Sequence, residues 1–289
     1  MMYSENAAEL LQGAIDVHVH VNPSFFPRAL NGLELARYTL EAGMAGAMIK
    51  GHYGNTSGEA ALATMSVQGR VQIFGSVVLN TFVGGINPAA VEAGAKLGAK
   101  KISMPTISAQ NHIRTFNGPG FAAMSSDGLP RAPKTPLTVL DDAGSLIKVV
   151  YEVFDLVKEY DMVLATGHLS NAEGMLVCRE AKRYGVRKVV FTHPDFRTNC
   201  LNMPSRRELA SIGVLLERTG IDFTPAEVAW SIRELGVEHW FLATDFGQPD
   251  NPLPHIGLGN MIDALLKQGI TKDEIRTMVR DTPRYLMNT

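Results

Sequence analysis

Short apolar runs and amphipathic stretches alternate along this chain. The run 14–20 (AIDVHVH) is followed by 31–43 (NGLELARYTLEAG), whose apolar positions recur with helical spacing. The pairing repeats, with apolar runs at 46–52, 71–80, 100–106, 162–168, 188–193, 214–220 and 239–245. Between and after them lie helical patterns at 57–69, 87–98, 145–160, 170–185, 205–213, 224–236 and 271–287. Turn chemistry supports the boundaries. Asn87, Pro88 and Gly98 read as the N-cap, first-turn residue and stop of one helix. Ser170…Glu173, Thr224…Glu227 and Thr271…Glu274 have capping-box spacing. Several of the strand candidates are apolar almost throughout, as strands covered on both faces must be. Eight strands, most followed by a helix, predict an α/β chain folded as one (β/α)8 TIM barrel over residues 1–289. Residues 107–140, rich in Gly, Pro, Asn and Ser, read as a long loop inserted after the fourth strand, a lid or binding loop. An open doubly wound sheet would share the alternation, but no G-x-G-x-x-G follows the first strand.

Composition narrows the function. A net charge of −2 leaves no basic footprint for nucleic acid. No apolar window is long enough for a membrane span, and the first residues carry no basic and apolar signal pattern. The two cysteines, Cys178 and Cys200, form no C-x-x-C pair, which argues against a disulfide scaffold or a Cys-rich zinc site. The expectation is a cytoplasmic protein acting on a small molecule.

In barrel enzymes the reacting groups sit at the C-terminal ends of the strands. The polar residues fall there. The first run ends in His18 and His20, which share one face of a strand. The second ends in Lys50 and His52, the fifth in His168, the sixth in His193 and the eighth in Asp245. Five of the eight histidines thus lie at or just after strand ends. Imidazole and carboxylate are the ligands of Zn2+ and similar ions such as Mn2+ or Fe2+, and such ions lower the pKa of a water toward 7. Asp245 suits both ligation and general-base work. Arg28, after the first strand, and Arg114 and Arg131, in the long loop beside His112, are candidate clamps for a substrate carboxylate. Asp195, just past the sixth strand, is a candidate to orient His193.

DVHVH at 16–20, with the later GH, TH and TD strand ends, resembles the amidohydrolase superfamily of metal-dependent hydrolases, and the closing DTPRYLM is similar to a short C-terminal helix of many members. The resemblance implies metal ligation by His18, His20, His168 and Asp245. It makes His193 a further ligand or substrate contact and Asp245 the base. It further implies one or two divalent ions, hydrolysis of a small amide, imide, ester or lactone, and a homo-oligomer. One departure matters. Binuclear members often carry a bridging Lys or Glu at the fourth strand end, where this chain has Met104, Pro105 and Thr106. Lys50 is the nearest substitute, as a carbamylated bridge, an ammonium on the substrate, or a structural residue. His52 is a ligand or substrate contact. The departure keeps open a mononuclear decarboxylase of a small carboxylic acid. The same residues would also serve a non-catalytic metal-binding barrel or a phosphoesterase.

Overall fold

The computed structural model describes residues 3–121 and 134–289. Eight strands run in chain order around one parallel sheet: β1 (Ile15–Val19), β2 (Gly46–Ile49), β3 (Gln72–Val78), β4 (Ala99–Ser103), β5 (Val163–Ala165), β6 (Lys188–Phe191), β7 (Leu215–Thr219) and β8 (Trp240–Ala243). The ring closes between β8 and β1. Val19 bridges Phe246 in parallel, Asp245 N–H donates to His18 O at 2.8 Å, and His20 N–H donates to Phe246 O at 2.8 Å. Helices α1 (Glu5–Leu11), α2 (Gly32–Glu41), α3 (Ser57–Ser66), α4 (Pro88–Lys96), α5 (Gln110–Phe116) and α6 (Lys148–Glu159) belong to the first half. The second half adds α7 (Asn171–Arg183), α8 (Met203–Ser211), α9 (Pro225–Leu235), α10 (Pro254–Lys267), α11 (Lys272–Arg276) and α12 (Thr282–Met287). This is the predicted TIM barrel. No helix among the described residues is long and apolar enough to cross a membrane.

The helical patterns form because each buries one stripe against the sheet. In α6 the buried residues are Val150, Val153, Phe154 and Val157, the i, i+3, i+4, i+7 set of one face. The boxes at Ser170/Glu173 and Thr271/Glu274 form, whereas the Thr224 side chain makes no cap bond. Asn31 and Glu34 make a box of their own. The segment 107–140 is not irregular throughout, because α5 lies within it. The last helical pattern is not one helix either: a π-turn over Thr277–Asp281 separates α11 from α12. The helix α10 is hidden in the sequence by Gly257 and Gly259. Both glycines are required by packing, since a Cβ at Gly257 would run into the Phe246 ring and one at Gly259 into Tyr3.

Polar residues inside the barrel tie strands together. Asp16 is fully buried. It accepts from His18 N–H at 3.2 Å, Thr244 N–H at 3.0 Å and the Thr244 hydroxyl at 2.6 Å. Lys101 donates to Val17 O at 2.7 Å. Truncating Asp16 leaves buried donors of β1 and the β8 end without an acceptor. Asp16→Ala should therefore lose about 3 kcal/mol of stability, read as a lower urea midpoint at unchanged m-value.

Candidate metal centre

The closing seam sets the centre of the site. His18 and His20 lie at the end of β1 on one face, and Asp245 lies two residues past β8. Asp245 has φ 57° and His193, two residues past β6, has φ 53°, both in the left-handed region that non-glycine residues seldom adopt. Such backbone persists only where the surroundings hold it, and it clusters at functional sites.

Two imidazoles converge on one carboxylate oxygen. His18 Nε2 lies 3.0 Å and His20 Nε2 2.8 Å from Asp245 Oδ1. His193 Nε2 lies 3.5 Å from Asp245 Oδ2. The other nitrogen of His18 donates to Glu217 Oε1 at 3.1 Å, so the neutral ring carries its lone pair on Nε2. Lys50 Nζ donates to that lone pair at 2.8 Å. With Nε2 unprotonated, its 3.0 Å approach to Asp245 Oδ1 needs positive charge beside it; with Nε2 protonated, it is an ion pair to Asp245. Lys50 supplies some positive charge here, and a divalent ion would supply more. Bonds of about 2.0–2.1 Å from an ion to its ligands set neighbouring donor atoms about 3 Å apart, so this triad fits one. Among the described residues two groups bring three possible ligand atoms within 4.8 Å of one another: His18, His20 and Asp245, and His18, His193 and Glu217.

Burial and charge set the protonation states in a direction that suits ligation. Burial, helped by Arg28, lowers His20 to about 3. Burial likewise holds His52 and His168 well below the ordinary histidine value. Burial opposes the charge of Asp245 and Glu217, but His18 and its neighbours outweigh it. Asp245 is held well below the usual carboxylate range and Glu217 at about 2. For His193, burial opposes the cation, yet the carboxylates of Asp222 and Asp245 prevail and raise it. Burial brings Lys50 down to about 8 against the pull of Asp245 and Glu217.

Hydrogen-bond partners fix the tautomers of the remaining rings. His112 Nε2 donates to Gly120 O at 3.0 Å, so its Nδ1 accepts from His168 Nδ1–H at 2.9 Å. That leaves His168 Nε2 unprotonated. Asn80 donates to Thr106 Oγ1 at 2.8 Å, and the Thr106 hydroxyl pairs with His52 Nδ1 at 2.9 Å. With the hydroxyl proton given to Nδ1, His52 keeps its proton on Nε2. The two rings line one cavity with opposite offers, an acceptor from His168 and a donor from His52. His193 Nδ1 faces Thr219 Oγ1 at 3.4 Å and Asp222 Oδ2 at 3.5 Å.

The cavity holds about 340 Å³ and is lined by His20, Arg28, Lys50, His52, His168, His193 and Asp245 on its polar side. Its remaining wall includes Phe26, Phe116, Phe121, Phe196, Arg197, Ile221 and Gln248. Of the sequence candidates, Arg114 is not in this lining. It sits on the exposed face of α5, because His112, two residues earlier, is the residue that helix turns inward. Arg131 lies outside the described residues. Asp195 does not orient His193. It is engaged by Arg206 at 2.5 Å and by Arg218, and Asp222 takes the place beside His193. His168 lies beside the triad rather than in it, its ring centroid 5.6 Å from His193. Sequence reasoning missed Glu217, Asp222 and the aromatic wall. A carboxylate within a buried strand, as in LLERT, was the one available signal for Glu217.

The barrel superposes on solved structures of hydrolases. An amidohydrolase from Pseudomonas aeruginosa superposes with a TM-score of 0.65 at 14% identity, over 98% of this chain and 97% of that one. An organophosphorus hydrolase from Deinococcus radiodurans gives 0.60 at 14% identity, over 97% and 93%. At this identity the likeness is one of fold. The chain belongs to the family of unknown function DUF6282, whose profile matches residues 13–217. No curated protein matches it.

Glu217 is the carboxylate behind the His18 ring. Such partners orient a ligand and raise its basicity, and losing one costs about 10–100-fold in metal affinity. Glu217→Gln should weaken binding of a divalent ion by that factor, measured by competition with a chromophoric chelator.

Proposed function

We propose that this chain is a metal-dependent hydrolase of a small amide, imide, ester or lactone. The observation that carries the reading is the convergence of His18 Nε2 and His20 Nε2 on Asp245 Oδ1 beside a cavity that His20 and Asp245 line. The names of the P. aeruginosa and D. radiodurans proteins support it, since both denote hydrolases. His18, His20 and Asp245 would hold the ion, for which Zn2+ suits the donor set. His193, with His168 and Lys50 on the same cavity wall, would be the candidates to hold any second ion. The bound ion supplies Lewis acidity and a lowered water pKa.

The chain's own residues do the rest. Asp245, ionised at neutral pH, takes a proton from the attacking water through the oxygen facing His193 and returns it to the leaving group. His52 donates its Nε2–H to the oxygen on which negative charge develops. Lys50, with its lowered pKa, is the second cation beside that oxygen. Removing the base should cost about 10²–10⁴-fold in turnover, so Asp245→Asn is expected to fall in that range on any substrate the wild type accepts.

A second reading is favoured by one observation. The end of β4 offers no bridging ligand, and the Thr106 hydroxyl there is taken up by His52 and Asn80. A mononuclear decarboxylase has the same needs. Turnover in oxygen-18 water decides between them. Hydrolysis places one heavy oxygen in the product. Release of CO2 with no heavy oxygen in the remaining product overturns hydrolysis in favour of decarboxylation. Metal binding without turnover of any substrate in the panel leaves a binding barrel.

A further inference from the structure

Four phenylalanines reach the cavity from three parts of the chain, after β1, at and just past the end of α5, and after β6, and they touch in series. Ring centroids are 5.4 Å apart for Phe26 and Phe121, 5.5 Å for Phe121 and Phe116, and 5.9 Å for Phe116 and Phe196. This wall faces the ligand-type residues, with Phe196 5.2 Å from His193 and Phe121 6.0 Å from His52. Such spacings are those of offset and edge-to-face aromatic packing. A flat ring entering between the wall and the imidazoles extends the same pattern.

At one end of the wall lies a buried cation, Arg28. Arg28 is 9% exposed, and its guanidinium carbon stands 5.5 Å over the Phe26 ring. Its polar contact is the Ser24 hydroxyl at 3.4 Å, and it makes no ion pair among the described residues. The nearest carboxylate in the site, Asp245, is engaged by His18 and His20. A buried, unpaired charge is costly and is kept where something pairs with it. A guanidinium matches the two oxygens of a carboxylate. At about 340 Å³ the cavity is at the small end of ligand sites, which is room for one ring and its substituents rather than a peptide.

We infer that the substrate is a small planar aromatic acid, its ring held against the Phe26–Phe121–Phe116–Phe196 wall and its carboxylate on Arg28. The inference names the substrate of the site proposed above and rests on that reading for the reaction. The recognition itself is tested by binding alone.

The probes are benzoate, benzamide and cyclohexanecarboxylate, titrated against metal-loaded protein and read by broadening of the ligand NMR lines. Benzoate should bind at least about tenfold more tightly than benzamide, which lacks the charge. It should bind about threefold to tenfold more tightly than cyclohexanecarboxylate, which lacks the flat face. Arg28→Gln should erase the preference for the acid, and Arg114→Gln should not. Equal binding of benzoate and benzamide overturns the inference without need of any variant. So does benzoate binding that ignores Arg28→Gln, because the carboxylate then sits on the ion. Oxygen-18 incorporation from a neutral aliphatic substrate, with no binding of benzoate, sinks the inference and leaves the hydrolase standing. Benzoate binding through Arg28 without hydrolysis does the reverse.

Discussion

The barrel closes where its first strand meets its last, and the site depends on that closure. Asp16, at the start of the His-x-His run, accepts two hydrogen bonds from Thr244 that join β1 to the end of β8, and one from His18 N–H within β1. Asp245 N–H donates across the same seam to His18 O. These bonds fix the relative register of residues 18, 20 and 245. A slip of one residue would turn both histidines toward the helices. The left-handed backbone at Asp245 is held by the same bonds. Sequence-distant ends of the chain thus form one constellation because the fold has no free edge there.

Electrostatics make the constellation expensive and purposeful. Lys50, Lys101 and Arg28 are buried beside Asp16, Glu217 and Asp245. Burial pushes each lysine and Arg28 down, and it pushes Asp16 up to about 7. Asp245 and Glu217 stay ionised because imidazoles surround them.

Much of this was legible in the sequence, for a physical reason. A strand end at a barrel mouth is recognisable as a polar residue finishing an apolar run, which is how His18, His20, Lys50, His52, His168, His193 and Asp245 come to light. All seven lie at the described site. The residues behind them were harder to find. Glu217 lies inside a strand whose other residues set its pattern, and Asp222 follows in a loop without periodicity. His112 and Arg114 share a short helix. Only its orientation in three dimensions shows that the histidine faces in and the arginine out. The aromatic wall is drawn from three distant parts of the chain, so no local pattern announces it. The helix α10 was obscured by glycines that packing against Phe246 and Tyr3 requires.

The reading of the β1–β8 seam as a metal site is decided by anomalous diffraction at the zinc edge, from crystals of protein loaded with Zn2+. A peak is expected within bonding distance of His18 Nε2, His20 Nε2 and Asp245. No peak there, with Lys50 still hydrogen-bonded to His18, would contradict it.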